Sequence, residues 1–521
     1  MFNTLDWLII GFYCIGIITL ATYVSRKKAG TTRNAEDYFL AGRSLPWWAI
    51  GASLIAANIS AEQIIGMSGQ GWVVGMAIAV WELTAAIALI VMAKYFLPLF
   101  LEKKIYTMPQ FLEQRFDKRV SLVLSFFWLI VYIFINLTSV LWLGSLAINA
   151  LTGLDLFYGL VLLAIFSLAY SLSGGLKAVA MTDAVQVVLL IFGGLAVSFI
   201  ALNIISESNG VIEGMKIVMK EMPERFDMVL SPDNSSYKDL PGIWILLGLG
   251  VWIGHFFYWG FNQYITQRAL AAKDIKEAQK GVMFAAYLKL LMPIVIVLPG
   301  ICAAFLYPSL EKSDQAYPTM MSLLPNGLLG LTFAALIAAI VSSLASMSNS
   351  ISTIFTMDIY KHFKNNDVSQ SNLIQVGRIT VVLAVLIATL VAQPLLGSFE
   401  SIFQYIQNFT GYFSPGIVVI FLVALFWKKA TSMSVLLAAL ISLISSILLS
   451  INFPELPFIH RMTIVFILSA LGCIATTYLQ GYKDQKKAID LSTVNFSTSK
   501  AFNLNTIIII YALVCIYVAF A

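Results

Sequence analysis

Long apolar runs alternate with short polar connections along the whole chain. A run of about 20 apolar residues is what an α-helix needs to cross a bilayer. Fourteen can be laid out, near 5–25, 46–70, 75–102, 120–149, 154–173, 178–204, 240–259, 278–306, 325–358, 371–393, 398–427, 430–451, 455–480 and 502–521. The pattern predicts an all-α polytopic membrane protein with 14 transmembrane helices. The first run reads as a retained span and not a cleaved signal peptide, since MFNTLD lacks a basic leader and Arg26, Lys27 and Lys28 follow the run.

Three runs differ from ordinary lipid-facing helices. The stretch 51–71, GASLIAANISAEQIIGMSGQG, sets Asn58, Ser60, Glu62, Gln63 and Ser68 among glycines and apolar residues. In hydrocarbon every backbone polar group must be satisfied. Small and polar residues at this depth therefore predict close helix packing, or a helix that breaks and turns its carbonyls inward. The seventh run ends GHFFYWGFNQY, with His255, Tyr258, Trp259 and Gly260 as a second interruption. The ninth holds AAIVSSLASMSNS, in which Ser342 and Ser346 share a helix face beside Ser343. Serines in spanning helices ordinarily bond back to their own backbone. If the second helix breaks near 56–59, however, its freed carbonyls and these hydroxyls suit an alkali cation without any carboxylate. Interruptions five spans apart predict a five-plus-five inverted repeat over spans 2–6 and 7–11.

Composition agrees: 59% of the 521 residues are hydrophobic and 11% charged, and the mean hydropathy is +0.86. The net charge of +5 is not a nucleic-acid signal, because the basic residues are spread over short loops. Cys14, Cys302, Cys473 and Cys515 show no metal-ligand spacing. Alternate loops hold 24 of the 32 basic residues, including Arg26, Lys27, Lys28, Arg33, Arg43, Arg115 and Arg268. By the positive-inside rule those loops are cytoplasmic and both termini extracytoplasmic. The expected divisions are 1–45 (an extra helix and loop), 46–204 and 240–429 (two repeat halves), 205–239 (an extracytoplasmic loop forming short helices) and 430–521 (three further helices).

Glu82 and Lys289 lie inside spans. A mid-bilayer charge costs roughly 2.5–3.5 kcal/mol, so such groups face a cavity or pair with each other. Gln63, His255 and Gln407 are also within spans. The set suggests a pocket for a neutral, hydroxyl-rich solute. No metal cluster or nucleophile with a paired base is apparent, which argues against an enzyme.

At EDYFLAGRSLPWWAIGASLIAANISAEQIIGMSG (36–69), NLTSVLWLG (136–144), YWGFNQYITQRALAAK (258–273), AAIVSSLASM (338–347), IFTMDIYK (354–361) and FQYIQNFTGYFSPG (403–416), the sequence resembles the sodium/solute symporter family, closest to its bacterial sodium/galactose and sodium/glucose cotransporters. The resemblance implies a LeuT-type fold in a bacterial inner membrane, with sodium as coupling ion and a sugar as solute. It implies sugar contacts at Gln63, Glu82, Lys289 and Gln407, with Asn58 in the same region and His255 at a position where relatives carry Asn. Tyr258 is implied as an inner gate, and Met67 and Phe403 as outer ones. Sodium ligands are implied at the carbonyls of Ala56, Ile59 and Ala339 and the hydroxyls of Ser342 and Ser343, with Asp183 on the ion pathway. Ala85 and His255 replace the relatives' Ser and Asn, which bears on which sugar fits; Ala345 replaces a hydroxyl of two-sodium relatives, which argues for one sodium. The alternatives are inositol or sialic acid as solute, or a non-transporting sensor or channel on the same scaffold.

Overall fold

The computed structural model describes residues 2–25, 34–364, 368–399 and 401–520. Among them eleven helices are long and apolar enough to cross a membrane, and the bent pair Trp47–Asn58 and Glu62–Val74 makes a twelfth if counted as one span. Of the two remaining runs of the expected fourteen, 154–173 falls within the helix Leu156–Ile205, which turns at Gly175 between the fifth and sixth runs. The run 240–259 is divided into Trp244–Leu247, Gly250–His255 and Phe256–Phe261, followed by Gln263–Leu270. Gly248 and Asn262, both in extended backbone, make those divisions. An apolar sum over the run does not register them.

The helices form a core and a periphery. Leu328–Phe363 is 89% buried over its most apolar window, Met76–Glu102 83% and Ile275–Leu306 72%, whereas Thr4–Val24 is 11% buried and Lys500–Ala519 17%. Close backbone approach brings the core together. A Cβ on Gly51 would lie 2.5 Å from Gly281 O, and one on Gly281 would lie 2.7 Å from Trp47 O, so Trp47–Asn58 and Ile275–Met292 touch main chain to main chain. This is the use of small residues where lipid supplies no hydrophobic drive between helices.

Not all of the expected loop cations are exposed. Arg26, Lys27, Lys28 and Arg33 lie outside the described residues. Arg43 bonds Glu36 at 2.7 Å and the carbonyls of Leu270, Lys104 and Ile105, tying three connections at one end of the bundle. Arg115 and Arg268, counted as loop charges in the sequence, are instead 3% and 0% exposed. Arg115 donates to Ala424 O and Trp427 O, carbonyls at the end of Ile402–Phe426 that lack helical donors.

At the opposite end the connection after Ile205 forms the helix Val211–Glu221 and the turn Pro223–Arg225. It is fastened across neighbouring helices. Arg225 donates to Trp72 O at 2.8 Å and to Val73 O, Met228 N–H reaches Phe520 O at 2.7 Å, and Gln404 donates to Asp239 at 3.2 Å.

Candidate solute and cation site

The helices Trp47–Asn58 and Glu62–Val74 meet at 58°. Ile59 leaves the helix at ψ 82°. Ser60 stitches the gap: its hydroxyl accepts from Glu62 N–H at 3.2 Å and donates to Gln63 Oε1 at 3.3 Å. Ser60 N–H turns to Asn58 O at 2.9 Å, so Ala56 O loses its i+4 donor. The Ser343 hydroxyl, from Leu328–Phe363, points at that gap, 3.5 Å from Ala56 O and 3.4 Å from Ala57 O. Ala339, one turn earlier on that helix, and Ile59 are both fully buried. These are neutral oxygen donors without a carboxylate among them, which fits a small hard cation.

Ser342 faces elsewhere. Its hydroxyl donates to Asp183, which also accepts from Ser53 and lies 3.8 Å from the Arg268 guanidinium, all four residues being 0% exposed. Arg268 further bonds Ser53 Oγ at 2.8 Å, Tyr264 O and Ser346. The sequence counted Arg268 as a loop cation because the apolar run ends before it. In the structure it belongs to Gln263–Leu270, every residue of which is buried. Ser346 also keeps the ordinary bond to Ser342 O at 2.7 Å.

Beside the break lies a cavity lined by Asn58, Gln63, Met67, Glu82, His255, Tyr258, Lys289, Phe403 and Gln407. The structure thus brings together residues from five separated stretches. Lys289 Nζ lies 2.5 Å from Glu82 Oε2, both nearly unexposed, and also donates to Asn58 Oδ1. Asn58 Nδ2 in turn donates to the Tyr258 hydroxyl at 3.1 Å, and Tyr264 OH bonds it at 2.7 Å. The Lys289 ammonium also sits over the Trp259 ring, 5.0 Å from its centroid. His255 Nε2 lies 2.7 Å from Thr84 Oγ1, whose own proton goes to Val80 O at 2.5 Å, so His255 is the donor of that pair. On one side Phe403 closes over Gly66, where an added Cβ would lie 3.0 Å from Phe403 Cβ.

Sequence reasoning gave no role to Trp81, Asn136 and Asn262, which also line the cavity, or to Glu62. For Trp81, Asn136 and Asn262 no periodic signal distinguishes them from ordinary span residues. Glu62 stood out as an acid in an apolar run.

Half-helices that end at mid-bundle, with a buried ion pair and amides between them, hold a solute and an ion without covalent chemistry. That is the class: a secondary transporter. The model of the sodium:solute symporter family matches residues 38–442. The chain is 46% identical to a sodium/glucose cotransporter of Vibrio parahaemolyticus, over 99% of this chain and 98% of that one. It is 32% identical to sodium/myo-inositol cotransporter 2 of Homo sapiens, over 87% of this chain and 70% of that one. A solved Na+-coupled sialic acid symporter in a substrate-bound outward-open state shares the fold, with a TM-score of 0.82 at 22% identity over 94% of this chain and all of that one. The chain belongs to the sodium:solute symporter family. It is a sodium-coupled transporter of the membrane and not an enzyme.

Proposed function

We propose that the protein couples inward movement of one sodium ion to uptake of a hexose, galactose or glucose, across a bacterial plasma membrane by alternating access. The observation that carries this is the arrangement of Lys289, Glu82 and Asn58 as charged and amide partners in a cavity that also presents Gln63 and Gln407. Such a site offers donors and acceptors to a neutral polyol and leaves no unpaired cation for a carboxylate. Arg268, the nearby arginine, is committed to Asp183 and does not line the cavity. That disfavours sialic acid; the inositol-transporting relative keeps a cyclic polyol as the second reading.

In this mechanism sodium is bound cargo, held by Ser343 and the carbonyls of Ala56, Ile59 and Ala339, joined by the Ser342 hydroxyl when it turns from Asp183. Sodium would draw Trp47–Asn58 against Leu328–Phe363 and order the adjoining solute cavity. Met67 and Phe403 would close the outer side and Tyr258 the inner. Release of sodium toward Asp183 would loosen the break and free the sugar. The driving force is adequate, since one charge across 100 mV supplies about 2.3 kcal/mol. The repeat halves 46–204 and 240–429, fourteen crossings and two extracytoplasmic termini complete the reading.

Proteoliposomes with an inward sodium gradient, offered labelled galactose, glucose, myo-inositol and sialic acid, test it. Sodium-dependent accumulation of a hexose is expected. Accumulation of inositol alone would move the assignment to the second reading.

A further inference from the structure

Among the described residues the buried acids near the cavity are not treated alike. Glu82 has Lys289 at 2.5 Å and Asp183 has Arg268 at 3.8 Å. Glu62 has neither kind of partner. It lines the same cavity, is 5% exposed, and its Oε1 has no hydrogen-bond partner. The side chain it interacts with by hydrogen bonding is the neutral amide of Asn136.

Among the described residues, the segments packed around the Glu62 turn bring no Lys, Arg or His to it. Val131–Leu137 with Thr138–Thr152, Ile402–Phe426, Pro293–Val297, Ala316–Met321 and Ser68–Val74 pack on or continue the Glu62 turn, and none of these segments contains Asp, Glu, Lys, Arg or His. Ser313–Gln315, also packed there, adds Asp314, another acid, which follows Lys312. The interrupted seventh segment faces Glu62 with the phenols of Tyr258 and Tyr264. Across the cavity stand His255, already engaged by Thr84, and the Glu82–Lys289 pair.

A carboxylate so placed keeps its charge only if a cation enters; otherwise a proton neutralises it. We propose that Glu62 is a proton-binding site, which holds a proton while the helix break lacks a cation and loses it to solvent when sodium binds. The step is a simple exchange: the Glu62 carboxyl O–H bond breaks, the proton leaves to water, and the carboxylate charge is offset by the arriving sodium. The break opens at Ile59, three residues before Glu62, so a cation there attracts the carboxylate and is attracted by it. Linkage makes the effect reciprocal: protons weaken sodium binding as sodium weakens proton binding. The sign of this linkage rests on the sodium reading above, and the site does not depend on which sugar is carried.

The test uses the purified full-length protein in lightly buffered detergent solution. Sodium binding is followed by tryptophan fluorescence and proton release by a pH-indicator dye. One proton at most should appear per sodium bound, and sodium affinity should fall up to about tenfold for each pH unit of acidification. Glu62→Gln should bind sodium without releasing a proton and with a flat pH dependence. Glu62→Asp should keep the release, which guards against a Glu62→Gln variant that fails to fold. Sodium binding by the wild type with no proton release at any pH, or unchanged release from Glu62→Gln, would overturn the proposal. A protein that binds no sodium would overturn both this inference and the sodium assignment.

Discussion

Two serine-rich helices of nearly equal apolarity meet opposite fates. Over their most apolar stretches Leu328–Phe363 is 89% buried and Ser432–Asn452 28% buried. In the first, Ser342, Ser343, Ser346, Ser348, Ser350 and Ser352 are buried on all sides, and the first two reach Asp183 and the broken helix. In the second, Ser434, Ser442 and Ser446 form one buried stripe. There they repair a neighbour. Pro415 interrupts Ile402–Phe426, Gly416 N–H donates to Ser442 Oγ at 3.0 Å, and Tyr412 O takes the Ser446 hydroxyl at 3.0 Å. In the proposed mechanism the same residue type serves an ion in the core, and at the edge it bonds a helix beside its proline. What separates the uses is what stands opposite: freed carbonyls beside an acid, or a ladder broken by proline.

The largest effect should come from the core serine. Ser343→Ala is expected to reduce sodium-driven uptake to the sodium-free background while the protein remains folded; uptake with and without sodium measures this. Wild-type stimulation in that variant would remove the distinction between the two helices.

Next come the charged pairs, which repeat the contrast. Removing one partner of a buried pair costs about 3–5 kcal/mol. Glu82→Gln and Lys289→Ala should therefore each nearly abolish hexose binding by calorimetry and be strongly non-additive in a double-mutant cycle. Lys238, paired with Glu455 at the exposed edge, should be replaceable by Ala without loss of binding. If the core variants bind hexose normally and lose only thermal stability, the pair is scaffold.

At the edge, Ser442→Ala with Ser446→Ala should cost about 1–3 kcal/mol of stability, because the buried hydroxyl bonds to Gly416 N–H and Tyr412 O beside Pro415 are lost. Thermal unfolding reads this, and sodium dependence should not change.

A smaller effect is expected where a connection roofs the core. Asp314 accepts from Ile402 N–H at 3.2 Å beside Phe403, and burial raises its carboxyl to about 6. Docked, it holds its proton more tightly than in water. The docked arrangement is therefore most favoured below the ordinary value of 3.8 and loses that advantage as pH rises through about 6. Acidifying the medium from pH 7 to 5 should slow opening and lower initial uptake a few-fold, and Asp314→Asn should flatten the profile of initial rate against external pH beyond what the remaining groups impose.

The smallest is His255→Asn, which should alter preference among hexoses more than sodium dependence, read from competition between galactose and glucose. An unchanged preference would leave His255 as a packing partner of Thr84 and Trp81.

Much of this was legible in the residues. Glu82, Lys289, Gln63 and Gln407 are conspicuous because apolar runs tolerate such groups only when they face inward, and the 51–71 stretch breaks where its small and polar residues suggested. Arg268 lies between runs as expected, but its burial was not foreseen, because its helix is amphipathic in sequence yet buried on every side. Run 240–259 was counted as one uninterrupted span because an apolar sum ignores a divided backbone. The sequence by itself determined which polar groups had to be hidden from lipid, since transfer cost belongs to each residue separately. Only the tertiary structure decided their partners: Lys289 with Glu82 207 positions away, Ser342 with Asp183, and none for Glu62 Oε1. Pairing depends on which faces of distant helices meet, and that is fixed by close approaches such as Gly51 to Gly281, not by any property of the charged residues themselves.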